Sequence, residues 1–206
     1  MKSLKVLIAL TLVMVVSAIA IASLGSFKSG YEIGDAVGDF RLKNVDGSMV
    51  SLSDFEEAKG FIVVFTCNTC PFAIANQQRI QALDTHFKPK GYPVIAINPN
   101  NPEVQAGESF TEMQDLAASK HFTYPYLYDA NHEIYASYGA TKTPHVYVLQ
   151  KTEGALEVKY IGAIDDSVRD ASTVTTSFVA QAVEALLNNK EVNPETTKAI
   201  GCSIKA

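Results

Sequence analysis

The sequence predicts an α/β domain: a central mixed β-sheet flanked by helices, with an N-terminal β-hairpin extension. Three observations carry this. Phe61-Ile62-Val63-Val64-Phe65 and Pro93-Val94-Ile95-Ala96-Ile97 are unbroken apolar, β-branched runs of the kind that strands buried on both faces require. Each run is followed by a segment with helical spacing, at 72–87 and after Ser109. The chain then closes with two strand-like runs and a helix at 173–188, where Phe178, Val179, Ala182, Val183, Leu186 and Leu187 recur at helical spacing.

With 206 residues, 47% hydrophobic and 19% charged, the chain is long enough for one domain with a sizeable core and too apolar to be disordered. A net charge of −5 without a Lys/Arg cluster leaves no footprint for nucleic acid. Lys2 and Lys5 precede an uncharged run from Val6 to Ala22, and small residues stand at Ala18, Ala20 and Ala22. Residues 1–23 therefore read as a secretory signal peptide or, if uncleaved, an N-terminal anchor, and both place the domain outside the cytoplasm. Residues 24–33 read as a linker, 34–190 as the domain, and 191–206 as a C-terminal tail carrying Cys202.

In chain order, Asp46-Gly47 marks a turn between two short extended pieces at 40–42 and 50–52, the hairpin of the prediction. In the 72–87 helix, Ile80, Leu83 and Phe87 share one stripe, while Gln77, Gln81 and Asp84 lie off it. Asn98-Pro99-Asn100-Asn101-Pro102 cannot continue the second strand. Ser109-x-x-Glu112 matches a capping box. A strand at 126–128, a short helix at 132–138 ended by Gly139, and strands at 146–149 and 156–161 follow.

The chemistry concentrates in Cys67-Asn68-Thr69-Cys70-Pro71, where the first buried strand hands over to its helix. Unpaired N–H groups and the positive dipole end favour a thiolate there, with cysteine pKa values falling to about 3.5–7.5. Cys67, at the mouth of the turn, reads as the attacking thiol and Cys70, further in, as the resolving one. Pro71 costs nothing in a first turn, where its missing N–H has no intrahelical partner. A zinc half-site lacks its complement, because there is no second Cys-x-x-Cys and no paired histidines. A purely structural bridge across so short a loop would remove little chain entropy. Pairing Cys67 with Cys70 leaves Cys202 over, either as a buried thiol or folded back as a second resolving thiol.

Gly38-Asp39-Phe40, Asp46-Gly47 through Leu52, the Cys67-to-Phe72 motif, Thr143-Pro144-His145 and Gly201-Cys202-Ser203-Ile204-Lys205 together resemble the thioredoxin-like superfamily. More narrowly, they are similar to its alkyl hydroperoxide reductase/thiol-specific antioxidant (redoxin) branch with a Cys-x-x-Cys site. The resemblance implies a thioredoxin-like fold and a cis peptide before Pro144. It also implies a substrate chain lined up by the backbone of Thr143, and a thiol-disulfide oxidoreductase working through Cys67 and Cys70. Cys202, Thr66 and His145 are accessory candidates beside the pair.

The sequence departs from thioredoxins in having no Trp and no carboxylate in the 61–65 strand. Glu108 and Glu112 are candidates for the missing proton-transfer group by position, though both read as solvated helix residues. Peroxiredoxin-like peroxidase activity is the rival reading, with Cys70 (or Cys67) as peroxidatic cysteine. The only arginines are Arg41, Arg79 and Arg169, none near Pro144 where peroxiredoxins place theirs. A non-enzymatic Cu(I)-binding reading would use the two thiols and His145. His86, His121 and His132 read as solvated helix residues. No cofactor or metal is expected. The expected partners are protein thiols and disulfides, a membrane electron donor, no nucleic acid, and a membrane only through an uncleaved N-terminus.

Overall fold

The segment Gly60–Phe65 is buried at every residue, and this follows from what stands on each side of it. It is extended by β-branched and aromatic side chains, and it enters at Gly60, where a Cβ would collide with the Leu149 carbonyl oxygen and the Tyr92 ring. The computed structural model describes residues 30–206, so the expected signal or anchor and the linker up to residue 29 lie outside the described residues. Residues 30–33, the end of that expected linker, pack on the domain: the Tyr31 N–H donates to the Tyr138 carbonyl at 3.2 Å and the two rings meet edge to face.

The strands are β1 (Ala36–Val37), β2 (Arg41–Asn44), β3 (Met49–Ser51), β4 (Gly60–Phe65), β5 (Val94–Asn98), β6 (Tyr126–Tyr128), β7 (Lys142–Thr143), β8 (His145–Thr152), β9 (Ala155–Gly162) and β10 (Cys202–Ser203). The helices are α1 (Pro71–Phe87), α2 (Phe110–Lys120), α3 (Ile134–Tyr138) and α4 (Phe178–Leu187). Eight strands form one sheet in the order β1-β9-β8-β4-β5-β6-β2-β3, while β10 pairs with β7 in a separate two-stranded ladder. β4 runs parallel to β5 and antiparallel to β8, with Phe65 opposite Ile97 on one side and His145 on the other. The mixed sheet and its thioredoxin-like outline match the expectation. The β2–β3 hairpin is present, docked on β6 at one edge.

Alternation along β4 divides the core. Ile62 and Val64 face a layer built from α1 (Ile80, Leu83, Phe87), α2 (Met113, Ala117) and α4 (Val179, Ala182, Val183). Phe61, Val63 and Phe65 face the opposite layer, which holds Phe40, Leu52 and Tyr138 and so uses loops and the short α3 instead of long helices.

Three local expectations are corrected. Asp84 and Gln77, placed off the apolar stripe of α1, are buried. Asp84 accepts the Val94 N–H and the Thr123 hydroxyl, and the loop at 165–168 covers the helix through an Arg79–Asp165 ion pair at 2.7 Å. The terminal helix starts at Phe178, not 173, because residues 171–173 form a 3-10 turn whose Ser172 N–H is taken by the Asp170 carboxylate. The 132–138 helix starts at Ile134. His132 sits outside it at φ 59° with Nδ1 2.9 Å from the Pro99 oxygen, and Asp129 accepts the N–H groups of Glu133, Ile134 and Tyr135.

His145, at the start of β8, lies against the Tyr147 ring and is buried, and burial lowers its pKa to about 4 from an ordinary 6.5. It stays neutral in the fold while the unfolded chain takes up a proton below pH 6.5. Stability present above that value is therefore lost as pH falls from 6.5 towards 4, by up to about 3 kcal/mol. Urea midpoints measured across that interval should fall for the wild type and fall less for His145→Gln. Parallel curves would show that His145 is not the group responsible.

Candidate redox site

β4 ends at Phe65, and the Thr66 N–H extends its pairing with β5 by donating to the Ile97 carbonyl at 2.9 Å. The chain then turns through 67–69, and α1 starts at Pro71 with Cys70 as its N-cap residue. Cys67 therefore sits ahead of the helix, not in its first turn. Its Sγ lies 3.1 Å from Thr143 Oγ1, and the nearby backbone amides of Cys70 and Thr69 also favour its ionised form.

The expected low pKa is corrected. Cys67 is only 2% exposed, and burial, with the Glu108 charge second, pushes its thiol up to about 11 against the pull of the Thr143 hydroxyl and the two amides. The expected contrast between an open Cys67 and a shielded Cys70 is also absent, since Cys70 is 4% exposed.

Glu108 is the functional group that the sequence reading placed wrongly. It precedes the N-cap Ser109, so it belongs to the loop after β5 and not to α2, and it is fully buried. One carboxylate oxygen accepts the Asn68 N–H and Asn98 Nδ2, both at 2.9 Å. The other accepts the Thr69 N–H at 2.9 Å and the Thr69 hydroxyl at 2.6 Å. Four donors offset the cost of burying the charge, and they fix the backbone of the two residues between the cysteines. Asn68 is held further, donating to the Gly107 carbonyl and accepting from the Tyr126 hydroxyl, each at 2.8 Å. Glu112 is exposed and forms the expected capping box with Ser109.

Across the turn, the Thr143–Pro144 peptide is cis, as the resemblance implied. Thr143 is fully buried and touches both sulfurs, its hydroxyl at Cys67 and its carbonyl oxygen 3.3 Å from Cys70 Sγ. Its backbone does not stand open: β7 pairs antiparallel with β10, Cys202 opposite Thr143. That register lays Cys202 on the site, and the disulfide is Cys70–Cys202, with a Cα–Cα distance of 6.0 Å, while Cys67 is a free thiol. The expected pairing of Cys67 with Cys70 is corrected accordingly, and of the two placements open to Cys202 the structure has the one folded back on the pair.

Of the accessory candidates, Cys202 joins the sulfurs, whereas Thr66 and His145 make no bond to them among the described residues. The buried Thr66 hydroxyl has no partner among the described residues, and His145 accepts from the Thr141 N–H at 3.4 Å and packs on Tyr147. Among the described residues no group of three or more His, Cys, Asp or Glu side chains is placed to hold a metal ion. Arg79 is engaged by Asp165 and the Ser167 carbonyl, and Arg169 lies over the Phe72 ring.

Because only the thiolate reacts, alkylation of Cys67 by iodoacetamide should rise about tenfold per pH unit from pH 7 to 10. Glu108→Gln removes the neighbouring charge and should move that profile to lower pH, while costing about 1–3 kcal/mol of stability through the mismatched donors. A profile unmoved by the substitution would show that Glu108 does not act on the thiol electrostatically.

The sequence model of the AhpC/TSA family matches residues 33–161. The chain is 31% identical over 160 residues to the thiol-disulfide oxidoreductase ResA of Oceanobacillus iheyensis, covering 74% of this chain and 79% of that protein. Among solved structures, a conserved protein of Geobacillus kaustophilus superposes with a TM-score of 0.78 at 33% identity, over 85% of this chain and 93% of that one. A thioredoxin-family thiol:disulfide interchange protein of Chlorobium tepidum shares the fold, with a TM-score of 0.56 at 18% identity over 77% of this chain and 99% of that one. With a matching family model across most of the domain, a Cys-x-x-Cys turn at the head of α1 and a cis-proline strand beside it, this chain belongs to the AhpC/TSA family, in its thioredoxin-like branch.

Proposed function

We propose that this AhpC/TSA oxidoreductase exchanges electrons with the thiols and disulfides of other proteins through Cys67 and Cys70, outside the cytoplasm. The observation that carries the reading is a free thiol, Cys67, standing in one cluster with a sulfur, Cys70, that already bears a disulfide. A thiol beside a disulfide is the elementary arrangement for exchange. Thr143 touches both sulfurs and its strand edge accepts an extended segment, so the same residue can orient a partner chain and the reacting atoms. The similarity to ResA points the same way.

The extracytoplasmic placement rests on the charged start and uncharged run at 6–22 and on the presence of a disulfide, which persists in oxidising compartments. No helix among the described residues is long and apolar enough to cross a membrane. A membrane protein is a fitting electron donor for a domain exported this way.

A Cys70→Ser, Cys202→Ser double variant should accumulate mixed disulfides through Cys67 when expressed in its own compartment, identified by mass spectrometry. Trapping by Cys67→Ser, Cys202→Ser instead would reverse the two roles, and trapping by neither would remove the exchange reading.

Peroxide reduction is the second reading, favoured by the register that aligns Cys70 with the peroxidatic cysteine and by its bond to a distant cysteine. Against it, Arg79 is held by Asp165 and Arg169 lies over the Phe72 ring. The reduced protein should therefore clear hydroperoxide only slowly. Rapid turnover with Cys70 caught as sulfenic acid would reverse the ranking.

A further inference from the structure

Residues 201–205 are fixed at the redox site by several independent contacts. Cys202 pairs with Thr143 and Ser203 with Lys142, so the segment adds a strand to the edge of β7. It is anchored on both sides: the Ile204 N–H donates to the Thr141 carbonyl at 3.3 Å, and Lys142 Nζ lies 3.0 Å from Ser203 Oγ. The Lys205 N–H donates to Asn100 Oδ1 at 2.9 Å. Gly201 lies so close to the Thr143 carbonyl that a Cβ would collide with it and crowd the Pro144 nitrogen. Thr143 is also the residue that touches both sulfurs, so any chain paired with it delivers its own side chain to them. Here that side chain is Cys202, and it is bonded to Cys70.

We propose that the C-terminal strand is an internal occupant of the substrate edge, and that Cys67 releases it by disulfide exchange. The proposal rests on the exchange reading above and adds a third redox residue to it. In the step, the Cys67 thiolate attacks the Cys70 sulfur, the Cys70–Cys202 bond breaks and the Cys67–Cys70 bond forms. Cys202 leaves as a thiolate and takes up the proton that Cys67 gave up. One disulfide replaces another, so no electrons enter or leave. The tail then loses its covalent tie, is held only by its strand hydrogen bonds and the packing of Ile204 and Cys202, and can leave. The vacated edge offers the Thr143 backbone to an extended, cysteine-bearing segment of a partner protein. Strand and partner exclude one another because they need the same backbone groups.

The test uses the purified, oxidised full chain with no partner. Cys67→Ser can hold only the Cys70–Cys202 bond, and Cys202→Ser only the Cys67–Cys70 bond. Hydrogen exchange in residues 201–205 should be at least tenfold faster in Cys202→Ser than in Cys67→Ser. Acid-quenched peptide mapping of the wild type should find both disulfides, with the Cys67–Cys70 share rising with pH. Gly201→Val wedges the strand off Thr143 without altering a sulfur and should raise the ratio of Cys67–Cys70 to Cys70–Cys202 at least tenfold. Unchanged exchange in β4 and β8 would verify that this variant is folded. Equal protection of the tail in the two locked forms, a single disulfide in the wild type at every pH, or an unshifted ratio in folded Gly201→Val would each overturn the proposal. Such a failure leaves mixed-disulfide trapping untouched. Loss of trapping with the internal exchange intact would remove the partner reading alone.

Discussion

The site depends on one buried carboxylate. Glu108 spends all its acceptor capacity on three donors of the two residues between the cysteines and on one strand-end asparagine. A five-residue turn between a strand and a helix has many ways to arrange itself, and its backbone N–H groups need partners once buried. A single anion that accepts two consecutive N–H groups leaves it one arrangement. The effect reaches further through Asn98, which donates to Glu108 and accepts the N–H of Asn100, whose side chain in turn holds Lys205 in the tail. The turn and the C-terminal strand are thus supported by one polar chain running behind the sulfurs.

That arrangement sets two electrostatic effects against each other at Cys67. The Thr143 hydroxyl and the backbone amides of Cys70 and Thr69, in the turn ahead of α1, favour a thiolate, and burial with a carboxylate nearby disfavours it. Burial wins, with the pKa pushed to about 11, because the sulfur is closed off from water. A change that opens the site to water would therefore remove the largest opposing effect. A guarded thiol of this kind is quiet when covered and reactive when uncovered.

Much of the fold was legible because it follows from periodicity. The apolar runs at 61–65 and 94–97 lie in β4 and β5, and the stripe of Ile80, Leu83 and Phe87 faces the core of α1. The position of Cys67 and Cys70 was also legible, because a strand-turn-helix junction is a local signal, whereas the cis Pro144 came only from the family resemblance. Glu108 was misplaced although a signal existed. Ser109 as N-cap excludes the residue before it from the helix, so Glu108 could have been assigned to the loop at once. The buried Asp84 and the Cys70–Cys202 bond had no such signal. Each depends on a segment arriving from elsewhere, Thr123 beside one and a tail 132 residues away at the other, and no local pattern encodes that.

The two disulfides open to Cys70 differ in what they do for the chain as a whole. A bond across 132 residues restricts the unfolded chain severely, worth about 4–5 kcal/mol in the chain-entropy account, whereas one across the short Cys67–Cys70 loop restricts it little. In the folded protein both partners are already delivered to Cys70, Cys67 by the turn and Cys202 by strand pairing, so that long-range closure has been completed by folding itself. Folding therefore favours the Cys70–Cys202 isomer relative to the unfolded chain, and exchange to Cys67–Cys70 gives up that advantage in return for an open edge. The docked strand is what lets so distant a cysteine compete with one three residues away. It follows that the strength of the Thr143–Cys202 pairing, more than the chemistry of any single sulfur, sets how readily the site opens.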